Sequence, residues 1–425
     1  MNETVKWIHS LVPLGIKPGL KRMEWMLERL GNPERRLKYI HVGGTNGKGS
    51  TVSYLRHMLQ EGGLRVGTFT SPYIEFFNER IAVNGEPISD EQLDELAKSV
   101  KPLVEELAES ELGSPTEFEV ITTIAFLYFA KVSYPDIVIM EVGLGGRLDS
   151  TNVITPMVSL ITNVGYDHMH ILGESIEEIA IEKAGIIKSG VPVITTAELP
   201  EVLKIFIETA ENKHAKALVL GHDFHIANEE GKRFSLQTPF ASFDKLHISM
   251  EGAHQVKNAA LALMGLQYLR TFYALLIEED EIRTGLEKTF WLGRFEKVSE
   301  KPLIIIDGAH NRQGVEALTE TIFRYKPRKI LAMLSLTKEK DVNDTFSPLY
   351  EVCDDITFTT FDFERAQQSH ELYENCRFQH KHHVENWKQG LSEMIEQTPE
   401  DDIILVAGSL YFISEVRAYF KHKEG

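Results

Sequence analysis

Cysteine is nearly absent: Cys353 and Cys376 are the only two in 425 residues. They are too few for a disulfide framework and lack the paired spacing of a zinc knuckle, so both are expected as buried, reduced, small apolar residues. Long apolar runs are also missing. None approaches the ~20 residues needed to cross a bilayer, and residues 1–10 lack the cationic stretch and apolar core of a secretory signal. The expectation is a cytoplasmic protein with no membrane partner. Positive charge is the third scarcity. Against 63 Asp and Glu there are 45 Lys and Arg, a net charge of -18. This argues against a nucleic-acid partner, which would need basic patches to neutralise phosphates. A small anionic ligand is still compatible, provided that Lys, Arg, a metal or helix N-termini create a local cationic site.

What is present is the composition of an ordinary globular protein, 43% hydrophobic and 25% charged, long enough for two domains and three at most. Short apolar runs at residues 39–42, 65–69, 136–140, 158–162 and 191–195 are each followed by Gly or polar turn residues. They alternate with helical patterns such as 55–60, 119–131 and 176–187. Such runs, buried on both faces, imply a mostly parallel sheet covered by helices on both sides. Between 217 and 250 the pattern weakens into short β-like pieces, and 253–272 reads as one helix. A second alternation follows, with strands at 303–306, 329–333, 355–359 and 402–406 and helices at 314–323 and 411–420. The expected architecture is therefore an N-terminal phosphate-loop α/β domain, residues 1–292, and a smaller Rossmann-like α/β domain, residues 293–425. The segment 291–301 is expected to be the hinge.

The sharpest motif is HVGGTNGKGST, His41 to Thr51, which follows an apolar strand and opens a helix. Glycines let backbone N–H groups converge on phosphate oxygens, the helix N-terminus adds positive potential, and Lys48 can reach the terminal phosphates. The spacing departs from the general phosphate loop: Val42 stands at the first glycine position, and Gly49 displaces the hydroxyl to Ser50 and Thr51. The bland alternative is a Gly-rich turn without a ligand, although four glycines around one lysine would weaken a helix start for no packing gain. A second motif, EVGLGGRLDSTN, starts with Glu141 at the end of a strand, where open α/β sheets bind ligands. Its carboxylate suits Mg²⁺, which takes hard oxygens and shares them with nucleotide phosphates; it could equally cap the next helix. The third motif, TNVGYDHMHILG, offers His168 beside Asp167 as a ligand and leaves His170 as structural. Lys183 lies on the following helix, with an ion pair to Glu182 or Glu178 as its bland alternative.

Together these segments, with TSPY at 70–73 running into NERI at 78–81, EKAGI, HQVKNAA from His254, GRFE from Gly293 and DGAHN from Asp307, resemble the folylpolyglutamate synthase family. The resemblance runs in order from about residue 14 to 410, and the displaced hydroxyl is itself this family's form. Many bacterial members are also dihydrofolate synthases. Wider relatives are the Mur ligases of cell-wall synthesis, which share ATP-dependent amide formation. They usually carry an N-terminal domain for a UDP sugar, for which a phosphate loop beginning near residue 43 is expected to leave no room.

The resemblance implies that Asn46, Gly47, Lys48, Gly49 and Ser50 hold the ATP phosphates and that Asn258, Arg294 and Asp307 also contact ATP. It implies that Ser71, Glu141 and His168 ligate Mg²⁺, and that Lys183 is carbamylated near a second Mg²⁺. Pterin and carboxylate contacts fall in 14–22, on Thr116, Phe118 and Glu119, and on Leu148, Asp149 and Ser150. His310 and Ser409 are candidates for the incoming L-glutamate, His310 also as a base for its amine. Both domains are expected to close on one nucleotide. Where many relatives have His in the Ser-Pro-His-Leu segment, this chain has Tyr73. The implied activity is a monomeric ATP-dependent ligase adding glutamate to folates, with dihydropteroate left open as a further substrate. A Mur-type ligase, or a phosphate-loop ATPase or kinase of other specificity, is the competing reading.

Overall fold

The computed structural model describes residues 2–12, 15 and 17–424, with side chains to Lys421. Of the segment 14–22 expected near a substrate, Leu14 and Ile16 lie outside the described residues. The chain forms two compact units. One comprises Met1–Ser249 and Gln255–Phe290, the other Met250–His254 and Trp291–Gly425.

The first unit is built on eight strands: β1 (Tyr39–Gly43), β2 (Val66–Phe69), β3 (Ile81–Val83), β4 (Glu86–Pro87), β5 (Ile137–Glu141), β6 (Val158–Ile161), β7 (Val193–Thr195) and β8 (Ala217–Val219). Their order is β4-β3-β2-β5-β1-β6-β7-β8. The six strands from β2 to β8 run parallel, while β3 and β4 add an antiparallel edge. Strands β1, β2, β5, β6 and β7 are buried at every residue, as a parallel sheet with helices on both faces requires. Three strands, β9 (His225–Glu230), β10 (Arg233–Gln237) and β11 (Ser242–His247), form a separate antiparallel sheet from the weakly patterned stretch.

The second unit holds β12 (Glu296–Glu300), β13 (Leu303–Asp307), β14 (Ile330–Leu334), β15 (Asp355–Thr360), β16 (Lys381–Asn386) and β17 (Ile403–Ala407), in the order β12-β13-β17-β14-β15-β16. All pairs are parallel except β12 with β13. Each strand expected from an apolar run is present within two residues of its expected ends. The two units divide at the start of the expected hinge segment 291–301, between Phe290 and Trp291, and within that segment residues 296–300 form strand β12, an edge of this sheet, with Val298 packed on its core. Glu296 fixes the turn before it by accepting the Gly293 N–H (2.9 Å) and the Arg417 Nε–H (2.7 Å).

Helix α1 (Lys48–Glu61) follows the phosphate loop, α2 (Glu117–Tyr128) covers one face of the first sheet, α3 (Ile176–Ala184) the other, and α4 is Ala253–Tyr273. A reciprocal Thr116–Glu119 capping box starts α2, and a Ser175–Glu178 box starts α3, each satisfying N–H groups that a helix start leaves open. Within the core under α2, the buried Phe126 ring meets Tyr39 edge-on at 6.1 Å. Phe126→Ala is expected to destabilise this unit by about 3–5 kcal/mol, read as a shift in the urea midpoint. A change below about 1 kcal/mol would place Phe126 outside the core.

Candidate active site

Strand order assembles the site. β2, β5, β1 and β6 are consecutive in the sheet and parallel, so the segments after them leave from one edge: Thr70–Ser71, Glu141 onward, the phosphate loop, and Thr162 onward. Ligands of open α/β sheets bind at that carboxyl edge.

The phosphate loop is held by main-chain contacts that tolerate no side chain. Gly44 has φ +136°, and a Cβ on it would lie 1.9 Å from Thr162 Oγ1. Gly47 has φ +85° and abuts the Asn258 amide. Thr162 Oγ1 donates to Asn46 O (2.5 Å), and the Asn46 and Thr45 N–H groups donate to the side chain and carbonyl of Asn163 (2.8 and 2.9 Å). From α4, Gln255 Nε2 donates to Ser50 Oγ (3.2 Å) and its Oε1 accepts from Asn258 Nδ2 (3.0 Å). The structure therefore brings Asn46, Gly47, Lys48, Gly49, Ser50 and Asn258 together. Thr162, Asn163 and Gln255 were missed in the sequence reading; each lies in or beside a quoted motif, which was the available signal.

Lys48 Nζ donates to the carbonyls of Gly44 (3.2 Å) and Thr45 (3.1 Å), and Lys183 Nζ donates to the same Gly44 carbonyl (3.0 Å). Lys183 is 3% exposed. Neither bland partner holds it: Glu182 pairs with Arg147 (2.6 Å), and Glu178 accepts N–H groups at the start of α3. Burial, reinforced by the neighbouring Lys48 charge, lowers the Lys183 pKa to about 7.

Glu141 is buried and accepts the Ser71 N–H (3.3 Å). His168 sits just before a short helix at φ +50°, partly exposed, its N–H bound to Asp167 Oδ1 (2.9 Å). His170, expected to be structural, is exposed. Among the described residues no three His, Cys, Asp or Glu side chains form a metal cluster. The carboxylate of Glu141 and hydroxyl of Ser71 are nonetheless hard oxygen donors of the kind Mg²⁺ takes in small number, leaving room for water and phosphate.

Both acidic residues expected on the substrate side are turned inward. The Glu119 carboxylate accepts Arg22 Nε–H (3.0 Å to each oxygen), the Thr116 N–H (2.8 Å) and Thr116 Oγ1–H (3.1 Å). Asp149 accepts the Leu144 N–H (2.8 Å), the Thr151 N–H (3.0 Å) and the Thr151 hydroxyl (2.5 Å). Between them the half-buried Phe118 ring lies 5.7 Å from Phe69, over Gly143, where a Cβ would meet Phe118 Cζ at 2.5 Å. Ser150 is buried at the start of a 3-10 turn, and Leu148 is half-buried.

In the second unit, Asp307 at the end of β13 accepts the Phe295 and Ala309 N–H groups (2.7 and 2.8 Å). Burial raises its pKa and nearby Arg294 opposes the shift. His310 Nδ1 donates to Gly308 O (2.7 Å), which places the lone pair of the neutral ring on Nε2. Ser409 is buried just after β17, the neighbour of β13.

The Mur ligase middle domain pattern matches residues 42–266, and the Mur ligase glutamate ligase domain matches 293–410. The chain is 45% identical, over 98% of its length and 98% of the relative's, to a Bacillus subtilis dihydrofolate synthase/folylpolyglutamate synthase. It resembles the crystal structure of folylpolyglutamate synthase from Thermotoga maritima (TM-score 0.85, 34% identity, 99% and 96% of the two chains). It also resembles a bifunctional folylpolyglutamate synthase/dihydrofolate synthase with Mn, AMPPNP and L-glutamate bound (TM-score 0.87, 28% identity, 98% of each chain).

Burial of Lys183 has a consequence for stability. Its folded pKa, about 7, lies below its ordinary value of 10.5, so between these values the unfolded chain binds more protons and stability rises with pH. The deficit is complete below pH 7 and gone above about 10.5. In CO₂-free buffer, Lys183→Met is expected to be more stable than the native chain at pH 6, with the gap shrinking towards pH 10. A gap independent of pH would mean that the ammonium is not buried.

Proposed function

The chain belongs to the Mur ligase family and, within it, to the dihydrofolate synthases/folylpolyglutamate synthases, and on that premise we propose that it is an ATP-dependent ligase joining L-glutamate to the γ-carboxylate of folates, with dihydropteroate as a second acceptor. The observation that carries this reading is the full-length similarity to the Bacillus subtilis protein, whose name covers both acceptors.

A carboxylate does not acylate an amine directly, because oxide is too poor a leaving group. Transfer of the ATP γ-phosphoryl group forms a carboxylate O–P bond and releases ADP. The Lys48 ammonium, the loop N–H groups between Asn46 and Ser50 and the Arg294 guanidinium neutralise the moving charge, with Asn258 and Asp307 as further nucleotide contacts. The amine of L-glutamate, placed by Ser409, then attacks the acyl carbon. A C–N bond forms, the C–O bond to phosphate breaks, and His310 Nε2 takes the amine proton.

The oxygen donors of Ser71 and Glu141 fit Mg²⁺, and His168 completes the proposed set; a bound ion screens the phosphate charge. As a carbamate, Lys183 would supply oxygen ligands to a second metal: its neutral amine adds to CO₂, an N–C bond forming as one C=O π bond opens, and the nitrogen loses a proton to water. Its burial and its pKa of about 7 support that reaction. Phe118, Leu148 and Ser150 line the folate side, with Thr116, Glu119 and Asp149 shaping it. Both motif sets lie on one chain, so we assign a monomer. No described helix is long and apolar enough to cross a membrane, both cysteines are free and buried, and we place the protein in the cytoplasm, without a nucleic-acid partner.

Purified protein is expected to release phosphate from ATP only when both a pteridine acceptor and glutamate are present. Release with ATP alone would indicate an ATPase. Lys48→Ala is expected to cut kcat/KM by on the order of 10²–10³ or more with an unchanged melting transition; loss of the transition would make Lys48 structural. With ¹³C-bicarbonate, a carbamate resonance absent from Lys183→Ala is expected, along with partial rescue of that variant by acetate. No resonance in the presence of ATP and Mg²⁺ would remove the carbamate.

A further inference from the structure

β1 carries a side chain that the proposed chemistry does not use. His41 lies two residues before Gly43, is fully buried, and its Nε2 is 2.8 Å from Thr151 Oγ1. The Thr151 hydroxyl has one proton. At 2.5 Å from Asp149 Oδ1 that proton belongs to the carboxylate, which can only accept. The hydroxyl must therefore accept from His41 Nε2–H. Three buried groups thus form a directed chain, His41 to Thr151 to Asp149, in which each proton position is fixed by the next acceptor.

The arrangement leaves His41 Nδ1 as a lone pair without a partner in the interior. Burial lowers the His41 pKa to about 3, so the ring is neutral and Nδ1 carries no proton to give away. A leucine at this strand position would pack without an orphaned acceptor, so the imidazole calls for an explanation beyond packing. The far end of the chain supplies it. Asp149 Oδ2 holds the Leu144 N–H at 2.8 Å, and Gly143, the preceding residue, is where the Phe118 ring rests.

We propose that His41 and Thr151 are positioning residues for the folate side. Through Asp149 they fix the 143–150 loop against Phe118, tying it to the strand that leads into the phosphate loop. The proposal rests on reading Phe118 and that loop as the folate side. Asp149 then acts through the main chain it holds rather than by touching the acceptor.

Two pairs of variants separate this role from packing. Thr151→Val removes the hydroxyl at nearly constant volume and His41→Phe removes the ring donor with a somewhat larger ring; Thr151→Ser and His41→Gln retain a hydroxyl and a donor in the place of Nε2. The Val and Phe variants are expected to raise KM for the pteridine acceptor tenfold or more, with KM for ATP within twofold. The Ser and Gln variants are expected to stay within threefold of the native enzyme. Phe118→Ala is the control for the premise. If it leaves the acceptor KM unchanged, the loop is not the folate side and that reading fails. If it raises the acceptor KM while Thr151→Val does not, the chain fails and the reading stands. Hydrogen exchange at the Leu144 amide gives a readout independent of turnover: at least tenfold faster in Thr151→Val than in Thr151→Ser under native conditions. Equal exchange in the two, or KM values for ATP and acceptor that rise together, would overturn the proposal. A Val variant that does not fold transfers the test to His41→Phe against His41→Gln, with the same readouts and the same overturning results.

Discussion

The main chain at Gly44 is the point on which the first unit's site depends. Its positive φ and the 1.9 Å approach of Thr162 Oγ1 to its missing Cβ leave only glycine there, and the resulting path turns the Gly44 carbonyl towards two lysines at once. One shared carbonyl oxygen cannot offset both ammonium charges, and among the described residues only Lys48 has a second carbonyl, that of Thr45. Lys183 is the more deeply buried of the two, and burial first, then the Lys48 charge, lowers its pKa to about 7.

The acidic side chains behave differently from what their motifs suggest. Glu119 and Asp149 belong to segments that read as substrate contacts, yet each carboxylate is filled by hydrogen bonds from its own neighbourhood. Burying a carboxylate is costly unless several donors meet it, and a loop whose N–H groups point inward supplies them. What such a carboxylate gives the site is a fixed loop. Arg22, paired to Glu119 and donating to the Lys17 carbonyl (2.7 Å), is held in the same way. On the proposed folate side this leaves Phe118, Leu148 and Ser150.

Much of this was legible in the sequence, for reasons that differ by element. Strands buried on both faces read as continuous apolar runs, so β1, β5, β6, β13 and β17 could be placed within two residues. β12 could not: as an edge strand it alternates charged and half-buried residues, EKVSE, and resembles a linker. The hairpin of β3 and β4 was overlooked although Asn84-Gly85, both at positive φ, is the strongest short hairpin signal known. The Thr116–Glu119 capping box was also readable as a Thr three residues before a Glu ahead of an apolar run; reading Glu119 as a substrate contact hid it. Neighbour relations across the sheet were not legible, because the contacts of Gly44 with Thr162 and of His41 with Thr151 span 118 and 110 residues of chain and exist only through strand order.

That dependence on strand order explains why the motifs are spread over so much of the chain. A parallel sheet can deliver several loops to one edge only by returning each time through a crossover of a dozen or more residues. The residues that meet at that edge are therefore far apart in sequence, and what holds them in register is the ladder between β2, β5, β1 and β6 together with the few side chains that bridge their ends. Thr162 bridges β6 to the phosphate loop, Glu141 bridges β5 to Ser71 after β2, and His41 bridges β1 to the loop after β5. Thr162 lies just past β6, Glu141 is the last residue of β5 and His41 lies within β1, and each sets a polar side chain against a loop that strand pairing does not hold. The loops that leave this edge are held in place by such hydrogen bonds and not by strand pairing.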